Sequence, residues 1–401
     1  MFKKILSLAL VVMMLVGCVA AFTSCGPEDE FKVGFICLHD ETSTYDKNFL
    51  DAAKATQQAL GLKDSQVIIV TDIDESEECY NAAADLVDQG CDVIFANSFG
   101  HEDFMIQAAK EFPEVEFCHA TGVKAHTEKL ANYHNAFANI YEGRYLAGVA
   151  AGLKLNELKA AGKLKGSVPK MGYVGAFTYA EVMSGYTSFY LGAKSVCPDV
   201  VMDVKFTGSW YDLDAEKNVA LALIQGGCDL ISQHADSMGA PSACEENGIP
   251  NISYNGSTVA TCPNTFIVSS RINWQPYFEY MIDCAQNGKE IKTDWTGTLE
   301  DGSVVLTDVN TKAAAAGTVE KLAEVKAELI AGTVKVFDTD NFTVGGQKLT
   351  EYLADVDDMG DYVGETNVII DGVFEESTKR SAPYFNIEID GITLLNRAYG
   401  D

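Results

Sequence analysis

The sequence predicts an α/β protein made of two similar lobes, each a parallel sheet covered on both faces by helices. Two observations carry this. Short apolar runs alternate with amphipathic stretches of helical spacing along most of the chain, the pattern of strands buried on both sides. The chain also repeats itself. Lys32-Val-Gly-Phe-Ile36 is echoed by Lys170-Met-Gly-Tyr-Val174, and Gln89-Gly-Cys-Asp-Val-Ile94 by Gly226-Gly-Cys-Asp-Leu-Ile231. From Gly34 to Asp92 is 92 − 34 = 58 positions, and from Gly172 to Asp229 is 229 − 172 = 57, so one supersecondary plan occurs twice. A chain of 401 residues, 47% of them hydrophobic, is long enough for two cores.

The first residues read as an export signal. Lys3 and Lys4 precede an apolar run from Ile5 to about Phe22, and Thr23-Ser-Cys25 follows. Small residues before a cysteine suggest a bacterial lipoprotein with signal 1–24, lipidation of Cys25 and a polar tether 25–30. Leu15-Val-Gly-Cys18 is a competing cleavage site, and a plain transmembrane anchor is the alternative. Either way the body is expected on the outer face of the cytoplasmic membrane, touching it only through that anchor.

The first copy begins with a strand at Phe31–Leu38. A polar loop, His39–Asn48, leads to a helix at Phe49–Leu60. Then follow a strand at Gln66–Val70, a helix at Glu75–Gln89 stopped by Gly90, and a strand at Asp92–Ala96. His101–Phe112 is a helix ended by Pro113, and Val115–His119 a strand. Glu142–Gly152 is a helix of small residues fit for close packing. The second copy runs through strands at Gly172–Ala176, Val200–Thr207, Leu230–Gln233 and Ile252–Tyr254, with helices between them from about Glu181, from Asp214 and up to Asn247. The chain is expected to return to the first lobe over about 266–300 and to the second over about 301–337. The lobes are thus 31–140 plus 266–300, and 168–265 plus 301–337. Thr318–Leu329 is a charged helix, and 338–401 is a C-terminal extension with hairpin signals such as Asp371-Gly372.

Composition narrows the function. Fifty-eight acidic against 29 basic residues give a net charge of −29, the wrong sign for nucleic acid or an anionic membrane surface. Nine cysteines beyond Cys18 and Cys25 form neither an even disulfide framework nor a metal-ligand spacing, and Cys91 and Cys228 stand in apolar strands as small hydrophobes. Phosphate-binding loops, nucleophile elbows and metalloprotease motifs are absent, and no cofactor is expected.

In parallel sheets ligands sit beyond the carboxyl ends of the strands. The loops there carry Phe49, Trp210 and Trp274 as stacking rings, with Asn97, Glu181, Asp212, Asp236 and Asn255 as polar contacts. Flat rings beside carboxylates and amides fit a planar ligand rich in N–H groups, such as a nucleobase. Asp212 and Asp236 could equally cap helices, and Trp274 could be hinge core. His39 and His234 read as structural.

These residues lead to a resemblance. Tyr45-Asp-Lys-Asn-Phe-Leu-Asp-Ala-Ala53 is similar to the D-K-S-F-N-x-A-A segment of the basic membrane protein family of lipoproteins, and Glu142-Gly-Arg-Tyr-Leu-Ala-Gly-Val-Ala-Ala-Gly152 to its E-G-S-Y-L-A-G-x-A-A signature. Thr207-Gly-Ser-Trp-Tyr-Asp212, Gln233-His-Ala-Asp236 and Glu181-Val182 look like a branch that includes receptors for free purine bases. Over roughly residues 31–300 the resemblance implies a type I periplasmic-binding-protein fold. Two Rossmann-like lobes, joined by hinge strands, would close on a purine base or nucleoside and deliver it to an ABC permease, without catalysis. It also puts Phe49 where the family's base-stacking aromatic lies. Tyr45 replaces one of the family's paired aspartates, Asn273 its lysine and His119 its fourth-strand aspartate, which turns the expectation towards a free base. A same-fold receptor for a sugar or signalling molecule, or an exported nucleoside hydrolase, remain the alternatives.

Overall fold

The computed structural model describes residues 30–356 and 364–398; the expected signal, Cys25 and all but the last residue of the tether lie outside them. The first lobe is built from β1 (Val33–Ile36), α1 (Thr44–Leu60), β2 (Val67–Val70), α2 (Glu77–Asp88), β3 (Val93–Ala96), α3 (Glu102–Glu111), β4 (Glu116–Ala120), α4 (Ala125–Glu128) and β5 (Tyr133–Ala138). Helix α5 (Ile140–Ala160) leads to the second lobe. There follow β6 (Lys170–Gly175), α6 (Ala180–Val196), β7 (Val201–Phe206), α7 (Leu213–Gln225), β8 (Leu230–Gln233), α8 (Gly239–Asn247), β9 (Asn251–Tyr254) and β10 (Phe266–Ile272). The remainder is α9 (Gln275–Gln286), β11 (Asp294–Gly297), β12 (Val304–Leu306), α10 (Thr318–Ile330), β13 (Leu353–Ala354), β14 (Thr366–Asn367), β15 (Ile369–Ile370), β16 (Val373–Phe374) and β17 (Ile392–Leu394).

The first sheet has the order β11-β5-β4-β3-β1-β2 and is parallel throughout. The second has the order β12-β10-β9-β8-β6-β7-β17, with β12 alone antiparallel to its neighbour. The sequence echo has a hydrogen-bonding cause. In the first copy Asp92 accepts from the backbone N–H of Lys32 at 2.8 Å, and the Lys32 ammonium donates to the Gln89 carbonyl. In the second, Asp229 accepts from the N–H of Lys170 at 3.0 Å, and the Lys170 ammonium donates to the Gly226 carbonyl. Each Lys-x-Gly strand is thereby clipped to its Gly-Cys-Asp neighbour, with Gly34 opposite Ile94 and Gly172 opposite Ile231.

The small-residue helix α5 packs backbone against backbone on α6. A Cβ at Gly148 would lie 2.0 Å from the Phe189 carbonyl oxygen, and one at Gly192 would lie 2.0 Å from that of Tyr145. Only glycine allows so close an approach.

The lobe boundaries need a correction. Phe266–Ile272, expected to open the return to the first lobe, is β10 and pairs with β9 in the second sheet. Its apolar run is long enough to form a central strand there. The crossing comes after it, at Asn273–Trp274, so that α9 and β11 belong to the first lobe before β12 returns to the second. The described residues of the C-terminal extension, 338–356 and 364–398, pack against both lobes. β17 extends the second sheet beside β7, Ser184 donates to the buried Glu376, and the N–H and hydroxyl of Ser381 both bond Asp294 of the first lobe, at 2.8 and 2.9 Å. Phe385 stacks on Phe337 with centroids 4.4 Å apart. The nine cysteines from Cys37 to Cys284 are all buried free thiols.

Candidate ligand-binding site

Between the carboxyl ends of the two sheets lies a narrow cavity. The first lobe contributes Leu38, His39, Tyr45, Asp46, Ser98, Phe99 and Thr121. The second contributes Glu181, Trp210, His234, Asp236 and Tyr254. Three carboxylates, from Asp46, Glu181 and Asp236, face this space, and its lining holds no lysine or arginine.

The lobes meet around it. The backbone N–H and hydroxyl of Thr44 both donate to the Asp236 carbonyl oxygen. The Asn48 amide donates to Asn255 Oδ1 at 3.3 Å, and the Phe99 and Tyr179 rings lie 5.0 Å apart. The cleft is therefore shut in this conformation. Ala382 and Pro383 of the C-terminal segment wall a side pocket next to it, with Phe99, Thr121, Tyr179 and Glu181.

Each acid is held by a defined frame. Asp46 stands in the first turn of α1, whose N-cap is Ser43. Its Oδ1 accepts from the Asn97 amide at 2.7 Å and the His39 N–H at 3.1 Å. Burial raises its pKa, and these hydrogen bonds oppose the rise. Asp236 sits in the loop after β8, where its N–H bonds the Trp210 carbonyl and its Oδ1 accepts from Asn255 at 3.1 Å. Burial, then the charges of Glu216 and Asp46, push its pKa well above the usual carboxylate range. Glu181, at the start of α6, lies 3.4 Å from His234 Nε2.

The rings are arranged on both sides. Tyr45 donates its hydroxyl to the Asn97 carbonyl at 2.7 Å and packs edge-on against Phe49. Trp210 stacks on Tyr179 with centroids 6.0 Å apart, and Tyr254 lies 4.8 Å from the His234 ring. Thr121 adopts φ 67° and Asn255 φ 64°. Asparagine tolerates that conformation, but a β-branched threonine does so only where its surroundings force it.

Of the expected contacts, the structure places Glu181, Trp210 and Asp236 in the cavity wall. Phe49 is not there. It is 1% exposed and stacks on Trp274 at 4.7 Å, because the helix begins at Thr44 rather than at Phe49 and carries Tyr45 one turn ahead of it. Trp274, also 1% exposed, belongs to the same aromatic core. Asn97 and Asn255 stand behind the acids they hold. Asp212 is the N-cap of α7, accepting from Ala215 at 2.9 Å, and is turned away to solvent. His39 and His234, read from sequence as structural, line the cavity instead. Sequence reasoning missed Tyr45 and Asp46; the spacing of Ser43 and Asp46 is a helix-start signal that would have placed both at the mouth. Its replacement of an acid by His119 proves supportive: this buried ring bonds the Ser98 carbonyl at 2.7 Å, and burial lowers its pKa to about 3.

Among the described residues no group of His, Cys, Asp and Glu could hold a metal ion, and no helix is long and apolar enough to cross a membrane.

Two lobes shut over a ring-lined, acid-rich cavity define a type I periplasmic-binding-protein fold of the solute-binding class. The particular family follows from comparison: the profile of the Bmp family, PnrA-like ABC transporter substrate-binding proteins, matches residues 36–340, and the chain belongs to that family. It is 33% identical over 271 residues to a purine-binding protein of Brucella abortus, covering 66% of this chain and 72% of that one. It is 29% identical to a candidate ABC transporter glucose-binding protein of Haloferax volcanii, over 63% of this chain and 62% of that one. Among solved structures, an ABC transporter solute-binding protein of Aeropyrum pernix aligns with TM-score 0.64 at 17% identity, covering 76% of this chain and 92% of that one, which bears on the fold alone.

Proposed function

We propose that this ABC transporter substrate-binding protein captures a purine, a free base in preference to a nucleoside, and hands it to its permease from a lipid anchor at Cys25. The observation that carries the reading is the pairing of Tyr45 and Phe99 from one lobe with Trp210 and Tyr254 from the other, around three carboxylates. Rings hold a flat heterocycle by stacking, and carboxyl oxygens accept from its N–H groups. Tyr45 stands where the family resemblance expects a second carboxylate to grip a ribose, which favours a free base. The purine-binding relative supports a purine ligand. Closure follows from differential affinity, since a ligand touching both lobes binds the shut form better. The reading assigns no chemical step to the cavity.

The glucose-binding relative favours a second reading, in which the rings face a sugar. Mass spectrometry of small molecules released from the purified, denatured protein separates the two. A purine base supports the proposal. A hexose, or ribose formed from added inosine, overturns it.

A further inference from the structure

We propose that Arg144 is a positioning residue for ligand binding: it fixes His234 as the neutral, Nε2-protonated tautomer, and that ring in turn orients the Glu181 carboxylate in the cleft. The inference rests on the reading of Glu181 as a ligand contact and concerns a residue that lines no part of the cavity.

Arg144 lies on α5 and is fully buried. Its Nη2 donates to the Gln233 carbonyl at 2.9 Å and approaches His234 Nδ1 at 3.4 Å. Its guanidinium carbon stands 4.0 Å from the Tyr254 ring centre and 5.3 Å from that of Tyr173. Nε and Nη1 find no hydrogen-bond partner among the described residues. Such a cation is out of place in a core unless its charge is used. In the family signature quoted above, the position is serine.

The chemistry of the donors decides the tautomer. A guanidinium can only donate, so the nitrogen facing it must accept. The Tyr173 hydroxyl also reaches Nδ1, at 3.4 Å. The ring proton then belongs on Nε2, which stands 3.4 Å from Glu181 Oε1. Space for the pair is provided by α6: a Cβ at Gly185 would meet His234 Nδ1 at 3.0 Å and Arg144 Nε at 3.4 Å. The titratable groups around the ring are Arg144 from α5, Glu181 from α6, Tyr173 from β6, Tyr254 from β9, and Asp236 in its own loop. Burial lowers the His234 pKa and Arg144 lowers it further, against the pull of Glu181. A neutral donor thus faces one oxygen of Glu181 at 3.4 Å and leaves the carboxylate charge for the ligand.

The test is ¹⁵N NMR of the histidine-labelled full chain without ligand, with His234→Asn assigning the signal, and calorimetry with adenine. The wild type is expected to show the Nε2-protonated pattern for His234, unchanged between about pH 5.5 and 7.5. Arg144→Gln is expected to let His234 titrate in that window and to weaken adenine at least about tenfold, the scale of one charge-assisted hydrogen bond. Arg144→Lys, which restores a cation that can only donate, should recover the tautomer. A wild-type ring that is protonated on Nδ1 overturns the inference even if the variants fail to fold. So does an Arg144→Gln protein with unchanged spectrum and affinity. A wild type with the expected spectrum that binds no purine would instead count against the ligand reading, and repeating the comparison with the ligand it does release decides the role of Arg144.

Discussion

The backbone N–H and the hydroxyl of Thr44 converge on the carbonyl oxygen of Asp236, at 3.1 and 3.0 Å, and so join the first turn of α1 to the loop after β8 across the cleft. The contact exists only when the lobes are shut. Thr44→Val removes one of the two donors without changing side-chain shape. Ligand affinity should fall by roughly two- to tenfold, the worth of about one hydrogen bond. The melting temperature of the ligand-free protein should hardly move. Calorimetry and small-angle scattering check both, the latter by a larger open fraction.

Trp210 and Phe49 separate contact from core. Trp210→Ala takes away a cavity wall and should weaken purine binding by about 2 kcal/mol or more, some thirtyfold, with a modest effect on stability. Phe49→Ala empties a fully packed position between Tyr45, Phe95 and Trp274. It should cost about 3–5 kcal/mol of folding stability. Denaturant titration read beside calorimetry distinguishes the two patterns.

Glu376 makes stability depend on pH. Burial raises its pKa to about 7, against a usual 4.5, despite bonds from Ser184 and Ser377. The folded chain therefore binds this proton more tightly than the unfolded chain. The associated stability is complete below about pH 4.5 and is lost as pH rises through 7. Glu376→Gln should flatten that part of the profile, by up to about 3 kcal/mol at pH 8. Chemical denaturation at pH 5 and pH 8 supplies the measurement.

The C-terminal segment should behave as part of the body. Phe385 is buried and stacked on Phe337, and Phe374 meets it edge-on at 4.7 Å. Phe385→Ala should destabilise the whole protein by about 3–5 kcal/mol in a single transition. Separate melting of an independent tail, seen by calorimetric scanning, would contradict this.

What could be read without coordinates was whatever the chain repeats. The two Lys-x-Gly strands and their Gly-Cys-Asp partners recur because the same carboxylate-to-backbone clip is used twice, and most strands and helices fall within a few residues of their expected places. The loops that form the cleft were also legible. Which side chains turn into it was not, because that depends on where each helix begins. A start at Thr44 rather than Phe49 puts Tyr45 at the mouth and its neighbour four residues on, Phe49, into the core. Trp274 follows Phe49 inward because the crossing comes after β10. In the segment from 338 the Asp371-Gly372 turn was legible and joins β15 to β16, but the rest escaped because its first four strands are two residues long and are held by tertiary contacts rather than by any local period.

The most direct test of a cleft made for a flat, donor-rich base is isothermal titration of the ligand-stripped protein with adenine, guanine, hypoxanthine, adenosine, ribose and glucose. A free purine base should bind at micromolar affinity or better, at least about tenfold tighter than its nucleoside, with the sugars silent. Saturable binding of glucose or ribose with no heat from any purine would contradict it.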